Sequence, residues 1–250
     1  MICRFCQKSD KLVKAHVIPE AFFRELREVG GETPIIISSS GQEYPKRAPI
    51  GVYDSTILCQ ECENHFSICD DYAVKVLLNE FDSTFVPWSH EDRTVAYRSA
   101  SVDQAMLSKF FVATLWRASV STHAFYSKVT LGSIERIAQS VFQDQAPHES
   151  HRFAAVLSRW EASAERNPIT TAMMSPFREK WSGINAYRFY FGRTLAYIKA
   201  DNHPYKSPLS DLAVCAAPEL TVITRHFDES KDFQALVSVA HRSRKTRLGA

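Results

Sequence analysis

Cys3-Arg4-Phe5-Cys6 and Cys59-Gln60-Glu61-Cys62 bracket the segment Lys14-Ala15-His16-Val17-Ile18-Pro19, and how these three stretches are read decides the fold. Two Cys-x-x-Cys pairs can supply four thiolates to one tetrahedral zinc. The 52 residues between Cys6 and Cys59 leave room for a hairpin and a helix. Four thiolates fill the zinc and leave no position for water, so Cys3, Cys6, Cys59 and Cys62 read as ligands of a structural zinc. Cys-x-x-Cys also serves as a redox pair, but neither pair follows a buried strand and opens a helix within a βαβ pattern. Disulfides fit less well, because Cys3 and Arg4 follow Met1 with no apolar signal segment. The expectation is a cytoplasmic protein, where reducing conditions favour metal over bridges.

Composition describes an ordered globular chain. It has 250 residues, of which 45% are hydrophobic, enough for one large domain or a small module plus a bigger one. No run approaches the roughly 18 to 20 apolar residues of a membrane span. The formal net charge of +2 excludes a global basic field, so nucleic-acid binding would require a local patch. One such patch is the tail His241-Arg242-Ser243-Arg244-Lys245-Thr246-Arg247, which also reads as a solvated terminus.

The pattern divides the chain at about residue 81. Residues 1–81 hold both cysteine pairs and several punctuating glycines and prolines. Pro19 should start a short helix. Ile35-Ile36-Ile37 and residues 55–58 read as strands, the second leading into Cys59. Beyond Cys62, Phe66, Tyr72, Ala73, Val76 and Leu77 recur at helical spacing, so the second pair opens a long helix. Residues 82–250 read as a larger mixed α+β domain. Buried helices are expected over 103–122 and 133–142, a hairpin over 187–191 and 194–198 around Gly192-Arg193, a strand over 219–226 and a closing helix over 232–242. The fold class is therefore α+β.

The order Cys-x-x-Cys, His-x-Ile-Pro, strand, Cys-x-x-Cys, helix resembles the zinc-containing HNH endonucleases of the ββα-metal, treble-clef type. The resemblance covers residues 1–81. The run from Leu115-Trp116-Arg117 to Ser121, with Leu131-Gly132, is also similar to a group of bacterial proteins that share the amino-terminal motif and have no assigned activity. The HNH resemblance implies that His16 is the general base that takes a proton from the attacking water, work that suits imidazole near neutral pH. It also implies a second divalent ion, magnesium or manganese, at the scissile phosphate. Two positions depart from the family pattern. Ala15 stands where a hairpin ligand belongs, and Glu63 stands where Asn or His follows the last cysteine. Glu63 is still a good ligand for a hard metal. The asparagine that braces the hairpin loop is missing from Tyr53-Asp54-Ser55-Thr56.

Each residue also has a plainer reading. His16 can pin the hairpin by bonding a backbone carbonyl, and Glu63 can be a carboxylate favoured at a helix start. Asp70-Asp71 reads as a solvated face or a partner for Lys75. Cys69 and Cys215 read as buried thiols, Trp116-Arg117 as a buried anchor, and the aromatic hairpin with Tyr187, Phe189, Tyr190 and Phe191 as core packing. The leading expectation is a divergent metal-dependent HNH-like endonuclease acting on DNA. Family association alone adds a role in conflict with phage or mobile elements. The alternative is a non-catalytic, zinc-stapled module that binds nucleic acid or a protein partner. Ala15 points to the alternative, whereas His16 with Glu63 points to the enzyme.

Overall fold

The computed structural model describes residues 1–30, 35–37, 46–47, 51–161, 173–181, 183–226 and 229–234. Its strands are β1 (Ala15–His16), β2 (Ile35–Ile37), β3 (Lys46–Arg47), β4 (Tyr53–Asp54), β5 (Val86–His90), β6 (Arg93–Ser99), β7 (Ala155–Trp160), β8 (Met173–Met174), β9 (Phe177–Trp181), β10 (Ile184–Phe191), β11 (Thr194–Lys199) and β12 (Leu220–Arg225). The helices are α1 (Glu20–Gly30), α2 (Gln60–Val74), α3 (Phe81–Thr84), α4 (Gln104–Val120) and α5 (Glu135–Phe142). This is a mixed helix-and-sheet protein. No helix among the described residues is long and apolar enough to cross a membrane.

A seven-stranded sheet runs in the order β5-β6-β12-β7-β11-β10-β9. Every neighbouring pair in it is antiparallel except β12 with β7. Strands β7 and β11 are buried at every position, so both sheet faces are covered. On one face Phe110 and Phe111 of α4 and Phe22 of α1 meet Phe191 of β10. On the other, Tyr205 packs with Val156 and Ile184, with Leu209 and Leu212 beside them. Strands β1 and β4 form a separate antiparallel pair, with Ala15 opposite Asp54 and His16 opposite Tyr53.

Local chemistry explains most boundaries. Asp103 caps α4 by accepting the Met106 N–H at 3.0 Å. Helix α4 is apolar around nearly its whole circumference because it is buried between α2, α5 and the sheet. The strand expected at 55–58 lies two residues earlier, at β4. The Asp54 carboxylate accepts the Thr56 N–H at 2.8 Å and its hydroxyl at 2.6 Å, which turns the chain out of the extended form. Gly51, just before β4, has φ +79°, and a Cβ there would meet the Phe23 ring at 2.6 Å. Most of the expected closing helix lies outside the described residues, as does the basic tail.

Residues 1–81 and 82–250 share one continuous apolar core, which runs from Cys3 to Val222. Phe5, inside the first cysteine pair, sits edge-on to Phe66 of α2 at 4.9 Å, Trp116 of α4 at 5.3 Å and Phe142 of α5 at 5.7 Å. Phe66 is stacked parallel to both Trp116 and Phe142. The aromatic payload beneath the cysteines therefore comes from both parts of the chain.

Candidate metal centre and the adjoining acid cluster

The first cysteine pair turns tightly enough that Gln7 adopts a left-handed φ of 59° and its N–H returns to the Cys3 carbonyl at 3.0 Å. Backbone bonds then bring the pairs together: Arg4 N–H donates to the Ile57 carbonyl at 2.8 Å, and Val13 N–H to that of Leu58 at 2.9 Å. The Sγ atoms of Cys3, Cys6, Cys59 and Cys62 all lie within 4.8 Å of one another. Cys6 Sγ and Cys59 Sγ are 3.8 Å apart. A tetrahedron with zinc–sulfur bonds of about 2.3 Å places its sulfurs roughly 3.8 Å apart, so the four cysteines are compatible with a structural zinc.

Electrostatics point the same way. Burial raises the Cys62 thiol, and the sulfurs of Cys59, Cys6 and Cys3 raise it further. Burial also opposes ionisation of Cys3, but the N–H groups of Cys6, Cys59 and Phe5 outweigh it and bring that thiol to about 7. The Cys59 N–H lies 3.4 Å from Cys3 Sγ. A cation bound among these sulfurs would offset the burial and mutual repulsion that hold Cys6 and Cys62 protonated.

A second polar cluster lies beside the hairpin. Arg117 is fully buried, and its guanidinium grips Asp70 with Nη1 to Oδ2 at 2.7 Å and Nη2 to Oδ1 at 2.6 Å. The same Nη1 donates to the His16 carbonyl at 3.0 Å. The His16 backbone amide hydrogen-bonds the Glu63 carboxylate. Burial works against the Arg117 charge, and Asp70 outweighs it and holds the guanidinium protonated. Arg117 cancels the charge of Asp70, which leaves the carboxylate of Glu63 in surplus. Burial raises the pKa of Glu63, Arg117 opposes the rise, and Asp70 adds to it. Glu63 Oε2 is buried with no hydrogen-bond partner. A surplus carboxylate of this kind must take up a proton or attract a cation.

The hairpin is braced from the other side by Asp54. Its Oδ2 accepts the Ser121 hydroxyl at 2.8 Å and the Thr122 N–H at 2.7 Å, which ties β4 to the end of α4. Burial pushes the Asp54 carboxyl up, but the bonds from Thr56, Ser121 and Thr122 win and bring it down to about 2. Asp54 thus braces this strand pair through bonds to Thr56, Ser121 and Thr122.

The structure brings the His16 backbone to the carboxylate of Glu63, which lies in the first turn of α2, the helix that carries Cys62. Ala15 is fully buried and offers no ligand atom. Among the described residues, only the four cysteines form a group of three or more His, Cys, Asp or Glu ligand atoms close enough to share a metal. Three plainer readings need correction or refinement. Asp70 is neither solvated nor paired with Lys75, whose partner is Glu80 at 3.8 Å. Cys69 is buried as expected, and burial pushes its thiol up to about 12. Cys215 is exposed, because it occupies a surface turn with φ 68°. The Asp70–Arg117 pair escaped the sequence reading because its halves are 47 residues apart. The one signal was an arginine within an otherwise apolar helical run.

Comparison of the chain with protein-family models, curated proteins and solved structures finds no match.

Proposed function

We propose that this chain is a divergent HNH-like endonuclease that hydrolyses DNA phosphodiester bonds, with a zinc-stapled treble-clef hairpin and helix carrying the site. The observation that carries this reading is the buried, unbonded Oε2 of Glu63 beside the half-buried His16. In this reading His16 takes the proton from the attacking water. Arg117 and Glu63 hold the backbone of His16 from its two sides and fix the ring's origin on β1. Glu63 would hold a hydrolytic magnesium or manganese ion, completed by water and substrate phosphate oxygens, since magnesium commonly uses only one or two carboxylates. Such an ion would stabilise charge on the scissile phosphate and the leaving oxygen. The zinc at Cys3, Cys6, Cys59 and Cys62 has no open position and serves the fold. The test is DNA cleavage by zinc-loaded protein in magnesium or manganese. Glu63→Gln should lose cleavage while it keeps zinc and fold, and cleavage by Glu63→Gln at the wild-type rate would overturn the metal assignment.

A second reading rests on a specific observation. Arg117 and Glu63 both engage the backbone of His16, and Ala15 supplies no ligand, so the same contacts describe a clamp that only shapes the hairpin. The chain would then be a non-catalytic module that binds nucleic acid or a protein partner. A pure wild-type preparation that binds DNA and cuts none under any divalent ion would support it.

A further inference from the structure

Residues 1–16 carry Arg4, Lys8, Lys11 and Lys14 against Asp10 alone, and all five side chains are exposed. The whole chain is only +2, so positive charge is concentrated on the ribbon that leads into the hairpin. Lys8 is partly answered by Glu61 at 3.7 Å. Lys14 has no carboxylate in ion-pairing distance among the described residues. Its Nζ instead stands 5.0 Å over the ring of Tyr53. That ring meets the His16 imidazole edge-on at 5.9 Å, and Tyr53 and His16 are register partners across the hairpin. Ammonium, phenol ring and imidazole thus form one continuous surface. An exposed cation–π contact is weak, too weak to keep Lys14 from a competing phosphate.

We infer that Lys14, carried on the Tyr53 ring, contacts a backbone phosphate of the nucleic acid strand that lies across His16. This inference rests on the reading of His16 and Glu63 as a nuclease site. Lys14 sits one residue before Ala15 and two before His16, so its phosphate would flank the scissile one. A phosphate contact positions the strand without reading its sequence.

The experiment is fluorescence anisotropy of zinc-loaded protein with labelled short DNA duplexes of two unrelated sequences, across a salt series and without magnesium or manganese. Lys14→Ala should bind both duplexes several-fold more weakly, and its slope of log affinity against log salt should be shallower by about 0.9. Lys14→Arg should restore affinity and slope, and Lys206→Ala, at an exposed site in the loop before β12, should match wild type. Wild-type affinity and slope in Lys14→Ala would overturn the inference and leave the roles of His16 and Glu63 standing. No DNA binding by wild-type protein would overturn both. A Lys14 effect together with full cleavage by His16→Ala would show a phosphate contact at Lys14 but overturn its placement on a strand cut at His16, along with the nuclease assignment.

Discussion

Arg117 of α4 and Asp70 of α2 form a bidentate, buried ion pair, 2.6 and 2.7 Å long, whose guanidinium also reaches the His16 carbonyl. One arginine from the larger part of the chain thereby fixes the helix that carries Cys62 and the strand that carries His16. The guanidinium also lies 5.0 Å from the Phe66 ring, within the aromatic stack beneath the cysteines.

Removing one partner of this pair should be costly. Arg117→Met leaves Asp70 and Glu63 buried without their cation, and the expected loss is about 3–5 kcal/mol in urea unfolding. Asp70→Asn/Arg117→Met should be less destabilised than the sum of its single changes by more than about 1 kcal/mol, because it no longer leaves Asp70 buried without a cation. Additive effects would show that the two side chains do not stabilise each other.

The four-cysteine centre makes a metal-content prediction. Cys6→Ser and Cys62→Ser should each release zinc and unfold the cysteine-bearing part, since structural zinc contributes folding free energy on the order of 10 kcal/mol or more. Cys69→Ser and Cys215→Ser should keep stoichiometric zinc, measured by mass spectrometry of the desalted protein. Full zinc retention with unchanged melting in Cys6→Ser or Cys62→Ser would rule out a shared site.

Asp54 supplies a pH signature. Its folded pKa is about 2 against an ordinary 3.8, so its stabilisation is present above about pH 4 and is lost as pH falls toward 2. A shift of that size corresponds to on the order of 2 kcal/mol. Asp54→Ala should therefore melt well below wild type at neutral pH, and the gap should narrow as pH falls through this window. A gap that stays constant with pH would mean that the carboxylate charge plays no part in bracing the hairpin.

Glu63 should behave in the opposite sense. Its folded pKa is raised, chiefly by burial, so ionising it costs stability as pH rises through that value. Glu63→Gln is expected to match or exceed wild-type stability at pH 8 and to lose that advantage in acid, as read by thermal melts. A Glu63→Gln protein much less stable than wild type at pH 8 would assign the carboxylate a structural role.

Much of this was legible in the sequence because it is local. Spacing alone identified Cys3, Cys6, Cys59 and Cys62, and helical periodicity located α2, α4 and α5 closely. The hairpin around Gly192-Arg193 followed from alternating aromatics, all of which lie in the core. Strands β5, β6, β7 and β9 were not anticipated. Strand β7 is buried at all six positions and shows no alternation, whereas edge strand β5 is exposed at all five, so neither carries the period-two signal of a half-buried strand. The role of Asp70 depended on a partner on another helix, and the bracing by Asp54 on Ser121 and Thr122. No local pattern reports such pairings.

The most direct measurement is the single-turnover cleavage rate of DNA by zinc-loaded wild type and His16→Ala in magnesium or manganese, with and without added imidazole. If His16 is the general base, His16→Ala should cleave at least about 100-fold more slowly, with DNA affinity and zinc content unchanged, and imidazole should restore part of the rate. Equal rates for the two proteins, or no cleavage by either, would contradict a catalytic His16.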